Sequence, residues 1–155
     1  MKTKLLAALC ASLLLQGCAS NPPFQPAPGS KTAKLNLSQT GEVTLCTEGD
    51  LFSLAPGEEG YAPVPAGQRV TLMRHFYSQG YNVSHSCQAA INFLPEEGRS
   101  YYANFELRNE RCVLLVFREA PEARVGLALE PSLSRNTACG KSAGADASPN
   151  PLPVP

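Results

Sequence analysis

Turn-forming residues divide this chain into short segments, and that division constrains the fold more than any other feature. The sequence contains 14 prolines and 12 glycines, and no stretch between them keeps the apolar period of a helix for a helix length. Apolar and polar residues instead alternate in short runs: 34–38, 42–46, 51–54, 69–76, 87–94, 99–107, 111–118 and 125–129. About seven or eight short strands predict an all-β domain, a small antiparallel β-sandwich with a small β-barrel as the alternative.

The alternation also predicts which side chains face the core. Successive strand residues point to opposite faces, so Cys87, Ile91 and Phe93 share a face that we expect to be buried. On the same principle Tyr102 is expected to face water. In 111–118 both sets of alternate residues are apolar, which is typical of a strand at the centre of a sheet or with a covered outer face.

The N-terminus has the features of a bacterial export signal. Lys2 and Lys4 precede an apolar run, 5–15, that is shorter than the about 20 residues a membrane-spanning helix needs. The run ends in the sequence Leu15-Gln16-Gly17-Cys18. This motif resembles the lipobox of bacterial lipoproteins, in which leucine, a variable residue and a small residue precede the modified cysteine. The first alternative is a plain signal peptide with an incidental cysteine, and the second is a transmembrane anchor.

The lipobox resemblance implies a lipid anchor and an address. In such proteins diacylglycerol alkylates the cysteine, here Cys18, and cleavage after Gly17 makes it the mature N-terminus. Each buried methylene contributes about 0.8 kcal/mol, so two or three acyl chains hold a protein on the bilayer almost permanently. The next residue is Ala19 and not the aspartate that retains some lipoproteins at the inner membrane. We therefore expect the protein at the outer membrane, facing the periplasm, with exposure at the cell surface as a further option.

Composition divides the chain into four regions. Residues 1–17 are the predicted signal peptide, and 18–31 are the lipidated cysteine with a proline-rich tether. Residues 32–139 form the predicted β-sandwich domain. Residues 140–155 are a proline-rich tail that we expect to be disordered; a ligand for a proline-binding partner is the alternative.

Four cysteines remain once Cys10 leaves with the signal and Cys18 carries lipid. They are Cys46, Cys87, Cys112 and Cys139. An even number in an oxidising compartment predicts two disulfide bonds, for which three pairings exist. We favour Cys87–Cys112, because each cysteine opens a candidate strand on an apolar face and the two could lie on neighbouring strands or opposed sheets. The remaining pair, Cys46–Cys139, would then tie the first part of the domain to its last residue before the tail.

A metal site is the alternative use of these cysteines. His85 lies two residues before Cys87, and Cys112 and His75 are further candidate ligands. However, the sequence has no CxxC or HxxxH pair of the spacing that zinc sites use. A catalytic Cys–His pair needs a reduced thiol, which an oxidising compartment opposes. We therefore predict neither a bound metal nor another cofactor.

Catalytic and nucleic-acid-binding signals are missing from the sequence. It contains no P-loop, GxGxxG or HExxH motif, and its one GxSxG match, 140–144, lies in the tail that we expect to be disordered and not between a predicted strand and a helix. Its 13 basic and 13 acidic residues are balanced, so no basic surface for nucleic acid is indicated. We predict a protein that is not an enzyme.

The segment 74–82 is the one aromatic and polar stretch that suggests binding. Arg74, Phe76, Tyr77 and Tyr81 form a candidate contact loop for an envelope protein or a glycan; the alternative is that they close a hairpin and pack its end. We predict a non-enzymatic binding or scaffold module of the cell envelope. The alternative function is an inhibitor of a hydrolase such as lysozyme, with charge supplied by Arg74, His75, Glu96 or Glu97.

A second resemblance supports the fold and the address. The residues Cys87, Phe93, Pro95, Gly98 and Tyr101, followed by Cys112, form a spacing similar to that of small uncharacterised disulfide-containing lipoproteins of Gram-negative bacteria. That resemblance covers about a quarter of the mature domain and implies no particular activity.

Overall fold

The computed structural model describes residues 20–57, 59–109, 111–137 and 139. This part of the chain contains nine β-strands and no helix. The strands are β1 (Thr32–Asn36), β2 (Val43–Thr47), β3 (Asp50–Leu54), β4 (Tyr61–Pro65), β5 (Val70–Gln79), β6 (Ser84–Phe93), β7 (Ser100–Arg108), β8 (Arg111–Glu119) and β9 (Leu127–Leu129). The all-β prediction is confirmed.

The strands form two sheets that pack face to face as a sandwich. The five-stranded sheet has the order β4-β1-β7-β8-β9, and the four-stranded sheet has the order β3-β2-β5-β6. All pairings are antiparallel except that of β1 with β7. The two sheets do not close into a barrel, so the structure supports the sandwich and not the alternative.

The core lies between the sheets and follows the predicted parity. Ile91 and Phe93 from β6 are buried, as is Tyr101 from β7. The rings of Phe93 and Tyr101 meet edge to face with centroids 5.3 Å apart, which joins the two sheets near one end. β8 lies between β7 and β9, so the strand that is apolar on both faces does occupy an interior position.

One strand, β4, lies outside the runs that the alternation predicts. β4 contains Pro63 and Pro65 and lies at the edge of the five-stranded sheet. The amide of Ala66 donates to Lys31 and Gly60 accepts from Leu37, so even-numbered residues point their backbone groups toward β1. Both prolines are odd-numbered, and their missing N–H groups therefore face away from the sheet.

The predicted tether differs from the structure at its N-terminal half. Pro22 to Phe24 lie along the outer edge of β3, where the amide of Phe24 donates to Ser53 and the amide of Ser53 donates to Pro22. The Phe24 ring packs edge to face on Phe52 with centroids 5.5 Å apart. This contact and the two hydrogen bonds hold Pro22–Phe24 against the domain, although the prolines of this segment predicted a free tether.

Both preferred disulfide bonds are present. Cys87 on β6 joins Cys112 on β8, with Cα atoms 5.8 Å apart, and this bond links the two sheets. Cys46 on β2 joins Cys139, with Cα atoms 5.7 Å apart. Since Leu45 faces the core, Cys46 faces outward, and the second bond fastens the end of the domain to the outer face of the four-stranded sheet.

The chain after β9 runs from one sheet to the other. Ser134 exchanges two backbone hydrogen bonds with Asn92 at the edge of β6, of 3.0 and 2.8 Å. Asn92 and Thr71 are buried beside it although they lie on the outer face, and the Asn92 amide donates to Thr71 Oγ1 at 3.0 Å. Ser134 at the edge and Cys139 on Cys46 thus hold the end of the described chain against the four-stranded sheet.

The predicted signal peptide (1–17), the lipidation site Cys18 and the tail (140–155) lie outside the described residues. Within the described ranges, the structure has no helix long and apolar enough to cross a membrane.

Candidate functional site

The β5–β6 hairpin extends beyond its own sheet. β5 and β6 pair continuously from Val70 opposite Phe93 to Gln79 opposite Ser84. β2, the other neighbour of β5, pairs only with Thr71 to Met73. Residues 74–89 therefore form a two-stranded ribbon with its own tip, which we call the arm. It contains all four residues of the predicted contact loop.

Two of those four residues anchor the base of the arm instead of facing a partner. Arg74 and Phe76 lie on the face of the arm that is turned to the five-stranded sheet. The Phe76 ring lies 6.1 Å from the Phe105 ring of β7, and the Arg74 guanidinium lies 5.9 Å from the same ring. Cys87, which is opposite Phe76, is fixed by its disulfide bond to Cys112. The base of the arm is thus held by covalent, aromatic and cation–π contacts.

Arg74 is incompletely satisfied at this position. Its Nε atom is buried and has no hydrogen-bond partner within the described part of the chain. Its Nη2 atom lies toward the β1–β2 loop, 3.9 Å from where a Cβ on Gly41 would be. The guanidinium is therefore half-buried at the base, away from the tip where an inhibitor would need its charge.

The tip and the outer face of the arm present the other two predicted residues. Tyr77 is 59% exposed and Tyr81 is 100% exposed. Val83, which the sequence reasoning did not select, is 56% exposed beside them. The amide of Gly80 donates to the carbonyl of Val83 at 2.8 Å and closes the tip. An apolar and aromatic surface is therefore displayed on a supported protrusion.

The arm is also electrically neutral beyond its base. The sequence from 75 to 95 contains no lysine, arginine, aspartate or glutamate. Its titratable groups other than the tyrosines and paired Cys87 are His75 and His85. A surface of this type suits a partner bound by packing and hydrogen bonds and not by long-range charge attraction.

The residues of the metal alternative are not brought together. Cys87 and Cys112 are bonded to each other. His75 is opposite Gln88 and His85 is opposite Ser78, so strand parity places the two imidazoles on opposite faces of the arm. In the described ranges no three His, Cys, Asp or Glu side chains converge in a way that could hold a metal ion.

The acidic pair considered for an inhibitor lies at the other end of the sandwich. Glu96 and Glu97 are in the β6–β7 loop, which follows the end of β6 remote from the tip. Glu96 forms an ion pair with Arg99, and Glu97 forms one with Lys31 at 3.1 Å. Both carboxylates therefore have partners within the domain.

A second aromatic surface crosses the outer face of the five-stranded sheet. Strand register places Tyr61, Asn36, Tyr102, Phe117 and Leu129 in one row across all five strands. Tyr102 and Phe117 are half-buried there, although Tyr102 was expected to face water. The Tyr61 hydroxyl donates to Glu119 Oε1 at 2.9 Å, and this bond raises the pKa of Tyr61. The side chains of this row therefore pack on one another across the sheet and are less exposed than those at the tip of the arm.

Comparison with known proteins gives no relative from which a function can be taken. No protein-family model, no curated protein and no solved structure matches the chain. The exposed tip of the arm is thus the surface from which function has to be inferred.

Proposed function

We propose that this protein is a lipid-anchored periplasmic module of the outer membrane that binds or scaffolds an envelope component without catalysis, and that the arm is its contact surface. The observation that carries the proposal is the exposure of Tyr77, Tyr81 and Val83 on a ribbon whose base is fixed by the Cys87–Cys112 bond. Exposed aromatic residues on a supported element are typical of binding surfaces.

The lipid anchor in this proposal is supported by the sequence and agrees with the disulfide bonds. Leu15-Gln16-Gly17-Cys18 resembles a lipobox, and the bilayer would be reached through acylated Cys18. Two disulfide bonds in a domain of this size are typical of an oxidising compartment such as the periplasm. Ala19 after the cysteine favours the outer membrane.

Site-specific crosslinking in intact cells tests the contact surface. A photoreactive amino acid would replace Tyr81 in one strain and Val125 in a control strain. Val125 is also an exposed apolar residue, 75% exposed, but its β8–β9 loop lies at the end of the sandwich remote from the tip. We expect a discrete adduct from position 81 and none from position 125.

A matched pair of substitutions tests the same contact surface in a second way, through the adduct formed from position 77. Tyr81→Ser should abolish an adduct formed from a photoreactive residue at Tyr77, whereas Val125→Ser should leave it unchanged. Equal adducts from both ends of the domain, or an adduct that survives Tyr81→Ser, would show that the arm is not the contact surface.

The inhibitor of a hydrolase remains the second candidate, because a narrow protruding hairpin has a shape that can enter an enzyme cleft. Arg74, however, stacks on Phe105, and Glu96 and Glu97 are paired at the other end. Exposed His75 is the remaining candidate of this prediction on the arm. We expect the purified domain to leave lysozyme activity unchanged; inhibition that is lost in His75→Ala or Tyr81→Ser would favour this second candidate instead.

A further inference from the structure

Three of the four edge strands in the described part of the chain are shielded from pairing with another strand, and the β5 side of the arm is a shorter free edge of three outward residues, His75, Tyr77 and Gln79. β4 carries prolines at its outward backbone positions, β9 has three residues, and β3 is covered by Pro22–Phe24. These are the ways in which β-proteins prevent edge-to-edge association. β6, with ten residues, is the fourth edge, and its sequence contains no proline and no lysine.

The backbone of β6 has unpaired groups along most of its length. Asn92 directs its N–H and C=O away from β5 toward Ser134. In an antiparallel ladder these directions alternate, so Ser84, Ser86, Gln88 and Ala90 direct theirs the same way. No residue of the described ranges forms a hydrogen bond with those eight backbone groups. An edge of this kind is a template for an added strand.

We propose that β6 pairs with β6 of a second copy of this chain, antiparallel and across a two-fold axis, so that two four-stranded sheets join into one. The interface is isologous, as expected for a two-fold dimer, because each copy contributes the same strand. The arms of the two copies then lie side by side and point in opposite directions. The dimer does not depend on the lipid anchor or on the partner of the arm.

The length and position of the free stretch fit a second copy. Ser134 already occupies the edge at Asn92, so the stretch that remains runs from Ser84 to Ala90, and its midpoint is Cys87. A two-fold axis at Cys87 pairs Ser84 with Ala90 and Ser86 with Gln88 of the other copy. All eight outward backbone groups are then satisfied. The residue opposite Asn92 would be Asn82 of the other copy, which precedes β6 at the tip, so the strand pairing itself ends before the position that Ser134 holds.

The side chains along this edge also permit self-association. The stretch 84–90 reads Ser-His-Ser-Cys-Gln-Ala-Ala, so two copies bring no permanent like charges together. Small side chains at Ser86 and Ala90 leave room for the opposing strand. Like charges directly opposite each other would destabilise such a pair, and this stretch has none. Strands inside the other sheet, by contrast, do carry permanent charges, at Lys34 on β1 and Arg118 on β8.

Proline substitution at matched positions tests the dimer. Gln88→Pro removes an N–H that points away from β5, so the hairpin should keep its own hydrogen bonds. His75→Pro is the control, since His75 is opposite Gln88 and its N–H points to the other side of the ribbon. Both would be made in a lipid-free chain from residue 19 to 155, which omits Cys18, and compared by sedimentation equilibrium, with circular dichroism and melting temperature to verify folding.

We expect a concentration-dependent dimer for the parent chain and for His75→Pro, and a dissociation constant raised at least about tenfold for Gln88→Pro. Residue-resolved hydrogen exchange gives an independent readout. The amides of 84, 86, 88 and 90 should gain protection as concentration rises, while those of 85, 87 and 89 should be protected throughout. A parent chain that stays monomeric, a dimer insensitive to Gln88→Pro, or equal loss in both variants would overturn the proposal, as would protection of the even-numbered amides in the monomer.

Discussion

Among single residues, the four paired cysteines have the largest expected effect on stability. The Cys87–Cys112 bond closes a loop of 25 residues and the Cys46–Cys139 bond closes one of 93. In the loop-entropy model these bonds restrict the unfolded chain and so raise the free energy of unfolding by about 3–4 kcal/mol and about 4–5 kcal/mol, respectively. Such values are a large part of the about 5–15 kcal/mol that stabilises an ordinary domain.

Replacing Cys87 and Cys112 with alanine is therefore expected to lower the free energy of unfolding by about 2–5 kcal/mol. The double variant Cys46→Ala, Cys139→Ala is the comparison, and denaturant unfolding measures both. Before that experiment, peptide mapping without reductant should find Cys87 linked to Cys112 and no free thiol among the four. A pair of thiols that become protected only when zinc is added would contradict the disulfide assignment.

The raised pKa values of two tyrosines lead us to expect a loss of stability at alkaline pH. Burial raises the pKa of Tyr101, and the hydrogen bond to Glu119 raises that of Tyr61. Because the folded state holds these protons more tightly than the unfolded state, their contribution is complete below a pH of about 10 and is lost as the pH rises through the folded pKa values. Chemical unfolding followed from pH 8 to 11.5 should show this decline, at the upper end of that range.

Tyr61→Phe isolates one part of that effect. The variant removes the hydroxyl that donates to Glu119, so its stability should decline less above a pH of about 10 than that of the parent chain. Near neutral pH the expected cost is small, because the bond lies on the protein surface. The same alkaline slope in both proteins would show that Tyr61 does not contribute.

At the level of strands, most of the fold follows from alternation, and the exceptions have physical causes. Eight of the observed strands overlap predicted runs, because one face of each strand packs on the core. β4 was missed because Pro63 and Pro65 read as turn residues, and only the hydrogen-bond direction at an edge makes them compatible with a strand. Phe24 was assigned to a tether because no periodic pattern surrounds it.

The candidate site was predicted as a segment but not as a surface. The aromatic composition of 74–82 located the arm, and the disulfide pairing that we preferred among three is the one present. Ending the predicted strand at Phe76 concealed the alternation that separates Arg74 and Phe76 from Tyr77. The exposure of Val83 could not be predicted from its residue type, because it arises from the position of Val83 at the tip.

Phe24→Ala is expected to release the N-terminal segment from β3. Loss of its contact with Phe52 should cost about 1–2 kcal/mol, from the half-buried ring and the aromatic pair. Gln25→Ala is the matched control, since Gln25 is an exposed neighbour in the same segment. Hydrogen exchange at Ser53 should accelerate in the first variant alone; unchanged exchange would show that the two backbone bonds hold without the ring.

For the whole molecule, the central prediction concerns the anchor. Cys18→Ser offers no thiol for a thioether, so the variant should remain unprocessed or separate from the outer membrane on fractionation. The mass of the mature protein measures processing, and membrane flotation measures attachment. Cys10→Ser is the control, because that cysteine is expected to leave with the signal. A Cys18→Ser protein that matures to the same mass and still floats with the outer membrane would refute the lipobox interpretation.

The attachment of Pro22–Phe24 to β3 limits how far the domain of such a lipoprotein can move from its bilayer. Four residue steps separate Cys18 from Pro22, a length of at most about 14 Å, whereas a free chain to Lys31 would reach about 45 Å. If Cys18 is lipidated as proposed, a tether this short would confine the domain to a thin layer above the headgroups. The arm would then meet partners mainly by lateral diffusion, and it would encounter a component embedded in or lying on the same membrane far more often than one in the periplasmic fluid.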